Sequence, residues 1–298
     1  MAPALTPDNN GSVIRTLITH NRLLTTPRFF TNGNRHAHRL LNTLTHLHTH
    51  RNAMGTIFRK EFIAFFSSAT GYVVLGLFWL ALSLFMWVIP GNYNVIDTGY
   101  AQLNSLFSLT PWLFMLLCPA ITMRMLAEEH QNHTWDWLQS LPVGTTRIVI
   151  GKYMASVTLS LIAITPFFLY YWAVGQLAEP VGNVDSGAFW GAMLGVIFLI
   201  AANTAVGLFA SALSRSQLVS FIVGVVMCFV LFYGFDLASS FFSNGIVAEH
   251  ISHAGFHYHY TSISRGVIDT RDLAYFILVS AIFCGLSVWG ENKLAEHR

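Results

Sequence analysis

Charge is what this sequence has least of. Asp, Glu, Lys and Arg make up 10% of its 298 residues and 54% are hydrophobic, whereas soluble domains carry about 25% charged residues. The apolar residues come in long uninterrupted runs, which excludes an ordinary soluble domain and gives the pattern of a polytopic membrane protein. Cysteine is also scarce. Cys118, Cys228 and Cys284 all lie inside apolar runs, so a disulfide framework is excluded and small buried hydrophobes are expected. No P-loop is present: Gly144 to Gly151-Lys152-Tyr153 has the wrong spacing and no Ser or Thr after the lysine. The chain therefore cannot bind and hydrolyse ATP through that motif. No H-E-x-x-H or G-x-S-x-G occurs, so the zincin and serine-hydrolase readings lose their motifs. No folded basic surface is evident, and a nucleic-acid partner is not expected.

What is there is a series of six apolar runs, near 70–89, 106–126, 148–174, 189–213, 217–241 and 273–290. About 20 residues of helix cross the hydrocarbon core, and 18 fall within the usual range. Lys and Arg in the short loops set the orientation. Arg59 and Lys60 precede the first run, Arg124, Arg147 and Lys152 flank the loop after the second, Arg215 lies between the fourth and fifth, and Lys293 and Arg298 follow the sixth. Loops 90–105 and 175–188 have none. Both termini and the 127–147 loop are therefore expected to be cytoplasmic. Arg265 and Arg271 break the rule on the outer side. Asp269, Asp272 or lipid phosphate is expected to compensate them, within an interfacial layer that Gly255 and Gly266 interrupt.

Two further segments stand apart. Residues 1–53 hold six histidines, one acid (Asp8) and no apolar run of membrane length. A disordered basic tail, a transit-like peptide and translated sequence upstream of a start at Met54 all fit this composition; the last is favoured. In residues 55–68, Ile57, Phe58, Phe62 and Phe65 share one helical face, with Arg59, Lys60 and Glu61 clustered off it. That is an amphipathic helix of the interface.

The polar stretch between the second and third runs is the best candidate for a surface that another protein could drive. Glu128 and Glu129 stand near its start, Trp135, Leu138 and Leu141 recur at i, i+3, i+6, and Pro142 is a stop. Adjacent helical residues point about 100° apart, so Glu128 and Glu129 do not converge as a catalytic pair. They are expected to cap the helix or meet a basic partner. Glu128-Glu129, Thr134, Leu138, Leu141-Pro142-Val143 and Gly151-Lys152, with Gly91-Asn92-Tyr93-Asn94 and the run Ser262 to Leu273, resemble the ABC-2 type permeases, and among them the gliding-motility (Gld) permease subunit. The resemblance runs from Met54 to the C-terminus. One departure is His133, where the family usually has Gly before the threonine.

The resemblance implies an all-α fold of the type V exporter kind: six transmembrane helices, an elbow helix before the first, and a coupling helix in the 127–147 loop, set in a bacterial inner membrane. It implies a separate ABC ATPase that binds the ATP, a second permease half, a Gld auxiliary protein with a periplasmic domain, and no catalysis or cofactor in this chain. Trp135 and Leu138 are then expected to be anchors buried in a groove of the ATPase.

Other constellations carry weaker signals. Asp236, late in the fifth run, and Asn203, in the fourth, are intramembrane polar residues and so functional candidates; near the outer end of its run, Asp236 fits a hydrated boundary residue equally well. His250, His253, His257 and His259 could hold Zn or Cu, which leaves an intramembrane metalloenzyme as an alternative, but their spacing matches no closed metal motif. Interfacial histidines are expected instead. A membrane anchor that drives an envelope machine without transport is a further alternative. Gly187, Gly191 and Gly195 repeat every four residues. They allow close helix packing, expected within the subunit.

Overall fold

The computed structural model describes residues 54–98, 103–140, 143–242, 245–266 and 269–296. Residues 1–53, Leu141 and Pro142 lie outside the described residues, and with them the readings made for those positions. The described residues belong to one compact unit, Asn52–Arg298, and their regular structure is all helix.

Among the described residues six helices are long and apolar enough to cross a membrane: Ala69–Val88, Asn104–Gln131, Thr145–Leu177, Ser186–Leu213, Gln217–Ser240 and Thr270–Lys293, numbered here as spans one to six. They coincide with the six apolar runs of the sequence. The main differences are that span two runs on into the first polar turn of the loop and that span three begins earlier, at Thr145. Before span one, residues 54–67 form the elbow helix. It buries Ile57 and Phe65 and leaves Arg59 exposed.

The helices bend where the sequence removes backbone donors. Pro166 has no N–H to offer the Ile162 carbonyl, and span three breaks there into Thr145–Ile162 and Thr165–Leu177. The Thr165 hydroxyl donates to the Ile162 carbonyl at 2.6 Å, and the Trp79 indole of span one donates to the Ala163 carbonyl at 3.1 Å. Carbonyls freed at membrane depth need such partners. Single π turns widen span one at Leu84–Val88 and span five at Val230–Gly234.

Span four is the hub, packing against spans two, three, five and six. Its small residues make this possible. A Cβ on Gly191 would lie 2.7 Å from the Cα of Gly266, one on Gly195 would lie 2.8 Å from Ile263, and one on Gly207 would press on Thr122. The glycine repeat is thus used within the subunit. An alanine at Gly191 is expected to cost about 1–3 kcal/mol by overpacking against backbone, read as a lower unfolding midpoint in detergent. Gly285→Ala, where nothing lies within 4 Å, should leave that midpoint unchanged.

At the end of the bundle remote from the elbow, two short helices join spans five and six, Gly245–Ser252 and Phe256–Ser264. Gly255 separates them, and Gly266, at φ 84°, ends the second. The segment is too short and too interrupted to be a seventh span. The Tyr260 hydroxyl ties it to span two by donating to the Phe107 carbonyl at 2.7 Å.

Candidate functional site

The polar stretch after span two is built on a break in that span. The helix stops at Thr122, and residues 123–126 turn. The next helix, Ala127–Gln131, has N-terminal N–H groups with no partner of its own. Ser211 of span four supplies one: its hydroxyl accepts from Leu126 N and Ala127 N, both at 3.0 Å, and donates to the Met123 carbonyl at 3.2 Å. Asn132 and His133 then reverse the chain into a second helix, Trp135–Ser140. His133 has φ 56°, a left-handed conformation in which glycine has no steric penalty and histidine is tolerated better than most residues. His133 thus holds a turn that a glycine would adopt without strain. Thr134 closes it: its N–H donates to the Glu129 carbonyl at 3.0 Å and its hydroxyl to the Glu129 carboxylate.

Glu129 is the centre of the arrangement. Its carboxylate accepts from Lys60 of the elbow at 2.8 Å and from Lys152 of span three at 3.2 Å, and Lys152 also reaches Glu61 of the elbow at 2.7 Å. Two acids and two lysines from three chain segments form one closed network. Lys152 is its most deeply buried member, with a side chain 1% exposed. Burial acts to lower the Lys60 pKa, but the hydrogen bond to Glu129 and the charges of Glu61 and Glu129 outweigh it, and the net direction is upward. Glu128 points away, as neighbouring helical residues must. It pairs with Arg124 at 3.0 Å, and Arg124 also holds Ser68 at 2.8 Å and Thr70 at 2.5 Å, where elbow gives way to span one. The two glutamates therefore meet cations of this chain.

Trp135 and Leu138 correct the expectation set for them. Both are buried in the chain's own core, Trp135 at 2% exposure, so they cannot also be anchors in another protein's groove. An apolar stripe at i, i+3 marks a covered face without saying what covers it. The Trp135 ring lies 5.5 Å from that of His130. His130 in turn meets Glu291 at the end of span six, at 2.8 Å, with both side chains almost wholly buried. The large side chain that faces outward is Trp137, 68% exposed. It lines a cavity of about 300 Å³ between elbow and loop, together with Lys60, Arg124 and Glu128.

Lys152, His130, Glu291, Ser211 and Trp137 were not singled out as site residues from the sequence. Lys152 and Glu291 did carry a signal, since a charge inside or at the end of an apolar run needs a partner. The partner itself, 161 positions away for His130 and Glu291, could not be read.

The remaining candidates lie elsewhere. Asp236 pairs with His257 at 2.6 Å, and His259 is held between Asp272 at 2.7 Å and the His253 carbonyl at 2.9 Å. His253 stacks on Tyr258 with ring centres 3.9 Å apart. The histidines of 250–259 are thus divided among separate partners, and among the described residues no three metal-ligating side chains converge. Asn203 is buried in span four, and no hydrogen bond reaches its side-chain amide.

Residues 98–288 match the family model described as "ABC-2 family transporter protein". The match takes in the loop, its Ser211 and Lys152 supports and the outer helices; the elbow and span one precede it. No curated protein matches the chain.

Proposed function

The chain belongs to the ABC-2 family of transporter proteins, and we propose that it is a permease subunit driven by a separate ABC ATPase through the 127–147 loop. In this reading the loop, the elbow and both termini face the cytoplasm of a bacterial inner membrane, and a second permease half completes the transporter. The resemblance of Gly91 to Asn94 and Ser262 to Leu273 to the gliding-motility permeases links it to that machinery and to a periplasmic auxiliary protein. ATP is bound and hydrolysed by the partner, and this chain does no chemistry on its cargo.

The observation that carries the reading is an exposed aromatic on a braced scaffold. Trp137 projects from a six-residue helix, Trp135–Ser140. Beneath it, Trp135 and Leu138 are packed in the core, and Glu129 is locked to the elbow and to span three. A push on such a helix passes to three segments at once instead of being absorbed by a loose loop. Bound aromatic anchors of this kind contribute on the order of 2 kcal/mol, about 30-fold in Kd. Trp137→Ala is therefore expected to weaken retention of the ATPase by about that factor and to leave the thermal stability of the permease alone. Trp135→Ala should do the reverse, destabilising the permease first. Unchanged ATPase retention in the Trp137 variant would place the docking surface elsewhere.

A further inference from the structure

We propose that the end of the bundle opposite the coupling loop carries a binding site for a phosphate ester, organised around Arg265. The two acids next to this arginine in sequence are occupied elsewhere. Asp272 holds His259, and Asp269 accepts from the Arg271 N–H at 2.9 Å. Among the described residues no ion pair or hydrogen bond engages the Arg265 guanidinium, and the side chain is exposed. The described residues thus leave the guanidinium open to an anion from solvent or lipid.

The surroundings form a receptor for an anion. Arg265 lines a cavity of about 460 Å³ with Asn104, Ser108, Asp185, Thr261 and Ser264. Spans two and four both begin here, at Asn104 and Ser186. Each helix start carries about half a positive charge, and its N–H groups suit anion oxygens. Asp185 is the one acid on the wall, and its carboxylate already accepts from Ala188 N at 3.0 Å as the cap of span four. Leu103 gives span two no side-chain cap. One guanidinium, one capping carboxylate and two helix starts leave the site positive by roughly one charge. On its other side Arg265 borders a second cavity, of about 390 Å³, whose acid, Asp236, is paired with His257.

Arg265 is also held in place. Gly266 follows it in a left-handed turn, with its backbone against Ala188 and Gly191 of span four. Tyr260, one turn earlier, is bonded to the Phe107 carbonyl of span two. Both contacts fix the backbone at Arg265 on the wall of the cavity that Asn104 and Asp185 also line. A planar fork with hydroxyls around it matches the several acceptor oxygens of a phosphate. Phe107 and Phe189 on the same wall suit an ester carrying an apolar part. A lipid headgroup and a water-soluble phosphate ester share this chemistry.

The test uses the purified full chain in a maltoside detergent, which has no phosphate. It is independent of the ATPase, so its failure and a failure of the coupling reading are separate results. Dioleoyl phosphatidic acid is followed as adducts by native mass spectrometry, and glycerol 3-phosphate by calorimetric titration. Arg265→Gln is expected to weaken binding at least about tenfold, as the loss of a charge-assisted fork implies, while Arg271→Gln, an exposed neighbour of the same charge, leaves it unchanged. Binding of both probes means that the phosphate group suffices; binding of phosphatidic acid alone identifies a lipid site. In the wild-type chain, phosphatidic acid should also slow phenylglyoxal modification of Arg265 and not of Arg271, a readout that does not depend on how the variants fold. No binding of either probe, equal losses in the two variants, or equal modification rates with and without lipid would overturn the proposal.

Discussion

Lys152→Met is expected to be among the most destabilising single changes in the loop region, by roughly 3–5 kcal/mol. The Lys152 side chain is 1% exposed, and its ammonium lies between Glu61 at 2.7 Å and Glu129 at 3.2 Å. Its removal leaves two carboxylates, each about nine-tenths buried, with Lys60 as the one cation left in the network and the Thr134 hydroxyl as a neutral donor to Glu129. Breaking a buried pair is costly because the charge left behind has lost its solvent as well as its partner. Replacing both members by apolar residues of similar volume is often close to neutral. The double change Lys152→Met with Glu129→Met should therefore recover most of the loss, since Lys60 still has Glu61 at 3.6 Å. Unfolding midpoints of the two single variants and the double variant in detergent decide it. A Lys152→Met protein as stable as the wild type would show that the network contributes nothing to the fold.

The second large effect is expected at His130. Its imidazole is the observed partner of Glu291, whose side chain is 0% exposed and whose other carboxylate oxygen already has no hydrogen-bond partner. His130→Ala strands that carboxylate and opens space beside the Trp135 ring, 5.5 Å away. The cost should again be roughly 3–5 kcal/mol. Glu291→Gln keeps a hydrogen-bonding group at the same place and should cost clearly less. The comparison separates a buried charge from simple packing: equal losses in the two variants would mean that the ion pair is incidental. Both His130 and Trp135 belong to the 127–147 loop while Glu291 ends span six, so the pair also ties the loop to the last helix of the bundle.

The six spans were legible because uninterrupted apolar runs of 18 residues or more have few soluble alternatives. The short helix at Trp135–Ser140 was legible too, from the i, i+3 spacing of Trp135 and Leu138. The divergence of Glu128 and Glu129 followed from helix geometry alone. What could not be read was which body covers an apolar stripe. Trp135 and Leu138 face inward because span two breaks near Thr122 and turns the loop back onto the bundle, and Ser211, some 85 positions later, holds that turn. The ion network was illegible for a related reason. Lys60, Glu129 and Lys152 meet across separations of 69 and 23 residues, and nothing in the local pattern of any one of them names the others. The same holds for the histidines. Their spacing matched no closed metal motif, and Asp236 and Asp272, from the helices on either side, hold His257 and His259 separately.

The central claim, that an ABC ATPase engages this permease at the outward face of the 135–140 helix, is tested most directly by crosslinking from that face. A photoreactive residue placed at Trp137 in the full chain, assembled with its ATPase in membranes, should give a permease–ATPase adduct on illumination. The same group at Tyr258, at the other end of the bundle, should give none. An adduct from position 137 alone is the result predicted here, and an adduct from position 258 with none from 137 would contradict both the docking face and the orientation of the chain in the membrane.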